Sequence, residues 1–219
     1  RAMLEAMVNG VEDPQALVAM AKGRMRKKGA DLQEALQGLV GHHQRMLLDS
    51  QLLHLTFLDE EIERLDAEVA DRMRPFESEM ERLDDIHGIG RRAAEEILTE
   101  IGADMSRFPS AAHLASWAKI CPGNNESAGK RKNGSTGHGN PWLRSILVQV
   151  SWAAARTKHT YLSALYHRVA ARRGAKRAII AVAHAILTII YSMLRNHSTY
   201  RDLGENYFDH LNRDSVIQI

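Results

Sequence analysis

The sequence feature that most restricts the fold is a row of apolar residues recurring every three or four positions. Its members are Leu48, Leu52, Leu55, Leu58, Ile62, Leu65, Val69 and Met73. This spacing puts them on one narrow stripe of a helix whose other faces are heavily charged. The pattern predicts a coiled-coil type of arm, about 50 Å long from Gly41 to Arg74. Such a helix needs a partner, either a neighbouring helix or a second subunit; the stripe does not distinguish them, and we favour a dimerisation arm.

The rest of the chain also has helical patterning, with no alternating strand pattern longer than a few residues. Before the arm, Asp13-Pro14 is a start signal for a short basic helix over 15–28, and Gly38 and Gly41 interrupt the pattern that opens at Asp31. Pro75 ends the arm. Further helices are predicted over residues 91–101, 110–119, 140–156, 160–173 and 175–195. We therefore expect an all-α protein with a helical arm at residues 1–80 and a compact helical domain at 81–219.

Charge is strongly segregated along the chain. Residues 1–126 carry 15 Lys and Arg against 23 Asp and Glu, whereas residues 127–201 carry 13 Lys and Arg and no acid. A short run of charge usually marks a solvated face. This one extends over several predicted helices, and it favours a surface that binds a polyanion.

Composition restricts the class of protein further. Cys121 is the single cysteine, which excludes an internal disulfide framework and a cysteine-rich zinc module and fits a reducing cytoplasm. The chain begins at Arg1 with no leader, so we expect a piece of a longer, non-secreted protein. The uncharged stretch 178–194 is shorter than a membrane span of about 20 residues, and a buried helix is favoured over a span.

The turn Ile86-His87-Gly88-Ile89-Gly90 resembles the hairpin of a helix-hairpin-helix motif. Glycines allow the backbone to approach a phosphate, and the start of the next helix offers free N–H groups. Arg91 and Arg92 add positive charge there. The alternative is a tight turn that only packs two helices together, and the basic pair favours phosphate contact.

A basic loop between Cys121 and Gly139 holds the sharpest chemical pattern. Ser127 lies among small residues, and Gly129, Lys130, Arg131 and Lys132 follow it. Phosphoryl transfer needs a positioned nucleophile and positive charge where the phosphate gathers negative charge. The local sequence alone nevertheless favours Ser127 as a hydrogen-bond donor to phosphate over Ser127 as a nucleophile.

His138, Asn140 and Arg144 follow the loop and are candidates for contacting a phosphate or a base edge. For Asn140, which precedes Pro141, helix capping is the favoured role. No histidine pair in the compact domain has zinc-site spacing, and residues 127–201 contain no carboxylate to hold Mg²⁺. We predict no metal site and no cofactor in this chain.

An ordered series of motifs resembles the C-terminal domain of insertion-sequence-110-type transposases, closely so over residues 83–165. The motifs are Ile86-His87-Gly88-Ile89-Gly90, Leu114-Ala115-Ser116-Trp117-Ala118, Cys121-Pro122-Gly123, Ser127-Ala128-Gly129-Lys130-Arg131 and Gly139-Asn140-Pro141-Trp142-Leu143-Arg144. The segment from Tyr200 to Tyr207 is similar to the family's C-terminal end, and the long helix is similar to its coiled-coil segment.

This resemblance implies a recombinase guided by a structured RNA, with Ser127 attacking a DNA phosphate to form a covalent phosphoserine link. It also implies a RuvC-like N-terminal domain that holds Mg²⁺ through four acids, and nothing in this chain matches that domain. The implied partners are DNA, the guide RNA and further copies of the chain, with no membrane and with a nucleoid-associated location. Two other functions remain open, a non-catalytic helix-hairpin-helix module that binds nucleic acid and a structural coiled-coil protein.

Overall fold

The computed structural model describes residues 1–38, 40–121, 125–127, 130–133 and 137–210. This part of the chain is mostly helical, and it divides into two compact units, Arg1–Arg72 and Met73–Ile219. The division falls before Met73 and not after residue 80, because Met73, Met80 and Leu83 are all buried in the core of the second unit. The predicted all-α class is confirmed.

The first unit holds three short helices and one long one. They are α1 (Ala2–Val8), α2 (Pro14–Ala19), α3 (Gly29–Ala35) and α4 (His42–Met73), and Gly23–Lys28 forms a 3-10 segment. The prediction of a single basic helix over residues 15–28 is wrong. The chain leaves the helix after Ala19 and passes through Gly23, whose φ of +58° is a left-handed conformation that glycine adopts readily.

Helix α4 is the predicted arm, and its 32 residues span about 48 Å. Leu52 is buried and Leu48 half-buried. The stripe then emerges into solvent at Leu55, Leu58, Ile62, Leu65 and Val69, whose side chains are 41 to 55% exposed. In the described part of the chain, nothing covers this stretch of the stripe.

The second unit contains six α-helices in its described residues. They are α5 (Glu77–Asp84), α6 (Arg91–Ile101), α7 (Ala111–Trp117), α8 (Pro141–Arg156), α9 (Tyr161–Arg173) and α10 (Ala175–Asn196). Side-chain oxygens of Ser110, Asn140 and Thr160 accept hydrogen bonds from first-turn N–H groups of α7, α8 and α9. The helices predicted from these capping residues and from the apolar spacing are confirmed.

Helix α10 is the centre of the core and packs against α7, α8 and α9. Its mean hydropathy of 1.8 over 18 residues and its length would suit a membrane span, but 56% of that window is buried inside the unit. A buried position of this kind is typical of the core helix of a globular domain, as predicted for residues 178–194.

The predicted loop between Cys121 and Gly139 contains two short strands. Strand β1 (Asn125–Ser127) pairs in antiparallel register with strand β2 (Lys130–Asn133), and the register shifts between Asn125 and Glu126. The expectation of an unstructured loop is therefore wrong for these residues. The strands have three and four residues, too short to give a visible alternating pattern.

Candidate nucleic-acid interface

The turn between α5 and α6 is pressed against α8. Gly88 has a φ of +93°, and a Cβ atom placed on it would lie 2.5 Å from the amide nitrogen of Ala154 and 2.6 Å from the carbonyl oxygen of Val150. On either side, Ile86 and Ile89 are buried. Close packing of the turn on α8 therefore requires glycine at residue 88. This is a packing role, the alternative to phosphate contact that the sequence left open.

Gly90 is exposed and is the N-cap residue of α6. Because glycine has no side chain, it accepts no side-chain hydrogen bond from the first-turn N–H groups of that helix. An open groove joins this end of α6 to one face of α8. Its polar lining includes Arg91, Arg92 and Gln149. The structure thus brings all four residues predicted in this turn to one groove, which Glu96 also lines. The first-turn N–H groups of α6 at this groove are of the kind that bind an anion.

The two arginines of the groove also hold carboxylates. Arg91 donates to both carboxylate oxygens of Glu77 on α5, at 2.6 and 2.8 Å, and to Glu95 at 3.3 Å. Arg92 lies 3.8 Å from a carboxylate oxygen of Glu96. The hydrogen bond from Arg91 lowers the pKa of Glu77. Arg91 therefore fastens α5 to α6, a role that its sequence position did not indicate.

The basic loop places Ser127 at the end of β1 opposite Lys130, the first residue of β2. Arg131 and Lys132 lie on the same strand. Gly129, which was also predicted to contact nucleic acid, lies outside the described residues. The role of Ser127 as a nucleophile stays a prediction.

Residues 137–140 return the chain from the hairpin to α8 across the end of α7. A Cβ atom on Gly139 would overlap the carbonyl oxygen of Ala118, and one on Gly137 would lie 3.3 Å from Lys119 Cδ. Only glycine allows such an approach of backbone to backbone at residue 139. The close contact fixes this return segment beside the end of α7.

Asn140 caps α8, as predicted. Its Oδ1 atom accepts from the N–H groups of Trp142 at 2.9 Å and Leu143 at 3.1 Å, while its Nδ2 atom donates to a carboxylate oxygen of Glu100 on α6. Both ends of the carboxamide are thus engaged within the protein. This geometry supports a positioning role for Asn140 and leaves its predicted contact with nucleic acid without support.

Two other predicted residues lie beside this cap. His138 is exposed, and Arg144 on the first turn of α8 donates to the carbonyl oxygen of Gly137 at 3.2 Å. Between them lies Trp142, whose side chain is 74% exposed. An exposed indole among cations is chemically suited to stack on a base. Trp142 was not among the predicted contact residues, although an aromatic residue on the first turn of a helix in an acid-free region is a usable signal.

The described residues hold no group of three or more His, Cys, Asp or Glu side chains placed to bind a metal ion. The C-terminal segment ends in an aromatic cluster at α9, where the carboxylate of Asp202 accepts from the Tyr161 N–H at 3.0 Å and from the Tyr200 hydroxyl at 3.2 Å. Burial raises the pKa of Tyr200. These contacts are structural, since they secure the C-terminal segment to α9.

Comparisons with known proteins place this site in a family context. Residues 80–167 match the model of the transposase IS116/IS110/IS902 family. A pilin gene-inverting protein of Moraxella bovis is 31% identical over 118 residues, which cover 52% of this chain and 36% of that protein. The transposase for insertion sequence element IS1111A of Coxiella burnetii is 29% identical over 129 residues, covering 55% of this chain and 34% of the transposase.

A longer match extends beyond this segment. An uncharacterised 42 kDa protein of insertion element IS900 from Mycobacterium paratuberculosis is 26% identical over 213 residues, which cover 89% of this chain and 53% of that protein. The chain thus spans about a third to a half of the length of these relatives.

Proposed function

We propose that Ser127 is the nucleophile of a DNA recombinase, on the premise that residues 80–167 match the model of the transposase IS116/IS110/IS902 family. The observation that supports the proposal is the hairpin, which pairs Ser127 with Lys130 at the head of a basic strand inside the matched segment. The Coxiella burnetii relative is named a transposase, and the Moraxella bovis relative is named for inverting a gene.

The proposed chemical step is a transesterification at a DNA phosphate. A bond forms between Ser127 Oγ and phosphorus, and the bond between phosphorus and one deoxyribose oxygen breaks. The leaving oxygen gains a proton and the serine loses one, so charge is balanced. Lys130, Arg131 and Lys132 supply positive charge where the phosphate gathers negative charge, an effect worth about 10³ to 10⁵ in rate for cationic groups in phosphoryl transfer.

Within the same proposal, a structured guide RNA selects the DNA, and Mg²⁺ is held by four acids in a RuvC-like domain. Both features are implied by the family resemblance. In the described residues no acidic cluster fits a metal ion, so no step of the chemistry is assigned to a metal in this chain. Nucleic acid is bound by the turn of α5 and α6, by the hairpin and by the first turn of α8.

We also propose that α4 joins two copies of the chain. The five exposed stripe residues from Leu55 to Val69 follow one another at alternating spacings of three and four, the pattern by which helices interlock in a coiled coil. Since the described part of the chain leaves them uncovered, a second copy of α4 is the partner that offers a matching stripe.

The test of the nucleophile is Ser127→Ala in the recombination-competent protein. The substitution should abolish the covalent protein–DNA adduct, which is detected as a slower-migrating band on a denaturing gel, while binding affinity for DNA changes little. Ser145→Ala, an exposed serine on α8, is the matched control and should leave the adduct intact.

The runner-up function is a helix-hairpin-helix module that binds nucleic acid without catalysis. It predicts that Ser127→Ala leaves recombination unchanged, and that outcome would overturn the proposed mechanism. A purely structural coiled-coil protein predicts that the wild-type chain shows no salt-sensitive binding to DNA at all.

A further inference from the structure

The junction of α9 and α10 carries a compact group of cations that none of the functions above uses. Arg172 and Arg173 end α9, Gly174 makes the turn, and Lys176 and Arg177 lie in the first turn of α10. All four basic side chains are exposed. Among the described residues none of the four forms an ion pair, and residues 127–201 offer no carboxylate nearby in sequence.

Helix stability explains only half of this arrangement. Cations favour the C-terminal end of a helix, so Arg172 and Arg173 suit the last turn of α9. Lys176 and Arg177 lie at the positive end of α10, where a cation is unfavourable and the first turn contains no acid. Four like charges within six residues also repel one another. A bound anion would therefore stabilise this group of cations.

The direction of the helices places this junction at the same end of the second unit as the start of α8. Ser163 of α9 donates to the carbonyl oxygen of Ala155 at 3.0 Å, and Tyr166 further along α9 contacts Trp152, which is earlier in α8. Residues later in α9 therefore contact residues earlier in α8, so the two helices are antiparallel. The last turn of α9 points toward the end of the domain where α8 begins, with Trp142 and Arg144.

We propose that Arg172, Arg173, Lys176 and Arg177 form a contact surface for the phosphate backbone of duplex DNA, which extends the interface at the start of α8. The inference rests on the proposed DNA-binding function. Four guanidinium and ammonium groups on a tight turn match successive backbone phosphates without reading base sequence. We commit to duplex DNA as the ligand because its backbone presents a regular row of phosphates and because the proposed function is DNA recombination.

The test is the quadruple variant in which these four residues become glutamine, with binding to a fluorescent mixed-sequence DNA duplex measured by anisotropy over a series of salt concentrations. The slope of log affinity against log salt should become shallower by about 3 to 4, since each lost phosphate contact removes about 0.9. The matched control converts Arg24, Arg26, Lys27 and Lys28, four exposed cations of the first unit, and should keep the wild-type slope.

Three outcomes would overturn the inference. Equal losses of DNA affinity and salt slope in the two quadruple variants would show that only the net charge of the protein matters. If the wild-type protein binds DNA and the α9–α10 variant has the same salt slope, these four residues do not contact DNA, while the proposed function still stands. Loss of affinity for a double-stranded RNA hairpin with retained affinity for the DNA duplex would assign the surface to RNA. Circular dichroism checks that the variants are folded.

Discussion

Gly88 is the residue whose replacement the structure most clearly forbids. A Cβ atom would stand 2.5 to 2.6 Å from backbone atoms of α8, and the φ of +93° is itself strained for any other residue. Gly88→Ala should lower the free energy of unfolding by about 2 to 6 kcal/mol, from backbone strain and from displacement of α8. Urea denaturation followed by circular dichroism measures the loss.

Gly102 provides the control that separates these two causes. It has a φ of +73°, but a Cβ atom there would meet nothing within 4 Å. Gly102→Ala should therefore cost only the strain, about 1 to 3 kcal/mol. If Gly88→Ala proves no more destabilising than Gly102→Ala, the packing role assigned to Gly88 is wrong.

At the residue scale, the sequence predicts roles that depend on neighbours along the chain. The Asn140 cap is readable because the N–H groups that donate to its side chain lie two and three residues away. The contact of Gly88 with Ala154 and the bidentate pairing of Arg91 with Glu77 are not readable. Both depend on how α5, α6 and α8 pack, and no local pattern specifies that packing.

The pair of helices α5 and α6 is joined by Arg91 and Glu77, and this bond competes with the predicted role of Arg91 in binding phosphate. Glu77→Gln removes the charged partner of the guanidinium group. We expect tighter DNA binding, with a salt slope steeper by about 1 if Arg91 then contacts a phosphate. Glu81→Gln, an exposed position on the same helix, makes the same change of charge and should raise affinity less. Equal gains would show that Arg91 does not bind DNA.

The same pair gives a pH dependence of known sign. Because Arg91 lowers the pKa of Glu77 in the folded state, the contribution of the pair to stability is present above the usual value of 4.5 and is lost as pH falls through the lowered pKa. The stability difference between wild type and Glu77→Gln should thus be constant near neutral pH and vanish in acid. Urea titrations across this pH range measure it, and a difference that grows in acid would contradict the assignment.

At the element scale, helices with a capping residue and a regular apolar face were predictable nearly to the residue. Helix α8, capped by Asn140, was predicted over 140–156 and observed as Pro141–Arg156. The hairpin was missed because β1 and β2 are short and polar, so they are specified by pairing with each other and not by an apolar face. The break in the helix predicted over 15–28 was missed because Gly23 adopts a φ of +58°, a conformation that the basic residues around it do not specify.

The whole molecule combines an acid-rich first part, residues 1–126, with an acid-free segment, residues 127–201, that forms β2 and α8 to α10. This segregation was visible in the sequence and gave the polyanion-binding prediction. The segregation does not predict which cations lie close together in the fold. That depends on the antiparallel packing of α9 on α8, which brings residues distant in sequence to one end of the domain.

Oligomerisation is the property of the whole molecule that we propose α4 controls. Ile62 lies near the centre of the exposed stripe, with 55% of its side chain in solvent. Because Ile62 is 55% exposed, covering it is worth about half of the 1.5 to 3 kcal/mol for full burial in each copy, and Ile62→Glu should weaken a symmetric dimer by about 1.5 to 3 kcal/mol or more. Sedimentation equilibrium over a range of protein concentrations measures the change.

Leu53 offers the matched control, because it is 63% exposed and, at 100° per residue, lies on the face of α4 opposite the stripe. Leu53→Glu introduces the same charge on the same helix and should leave the dimer unchanged. Equal dissociation by both substitutions would show that the stripe is not the interface, and a wild-type chain that sediments as a monomer at every concentration would remove the dimer altogether. If only Ile62→Glu dissociates the dimer, its adduct yield then shows whether two copies of Ser127 must be joined through α4 to act on DNA.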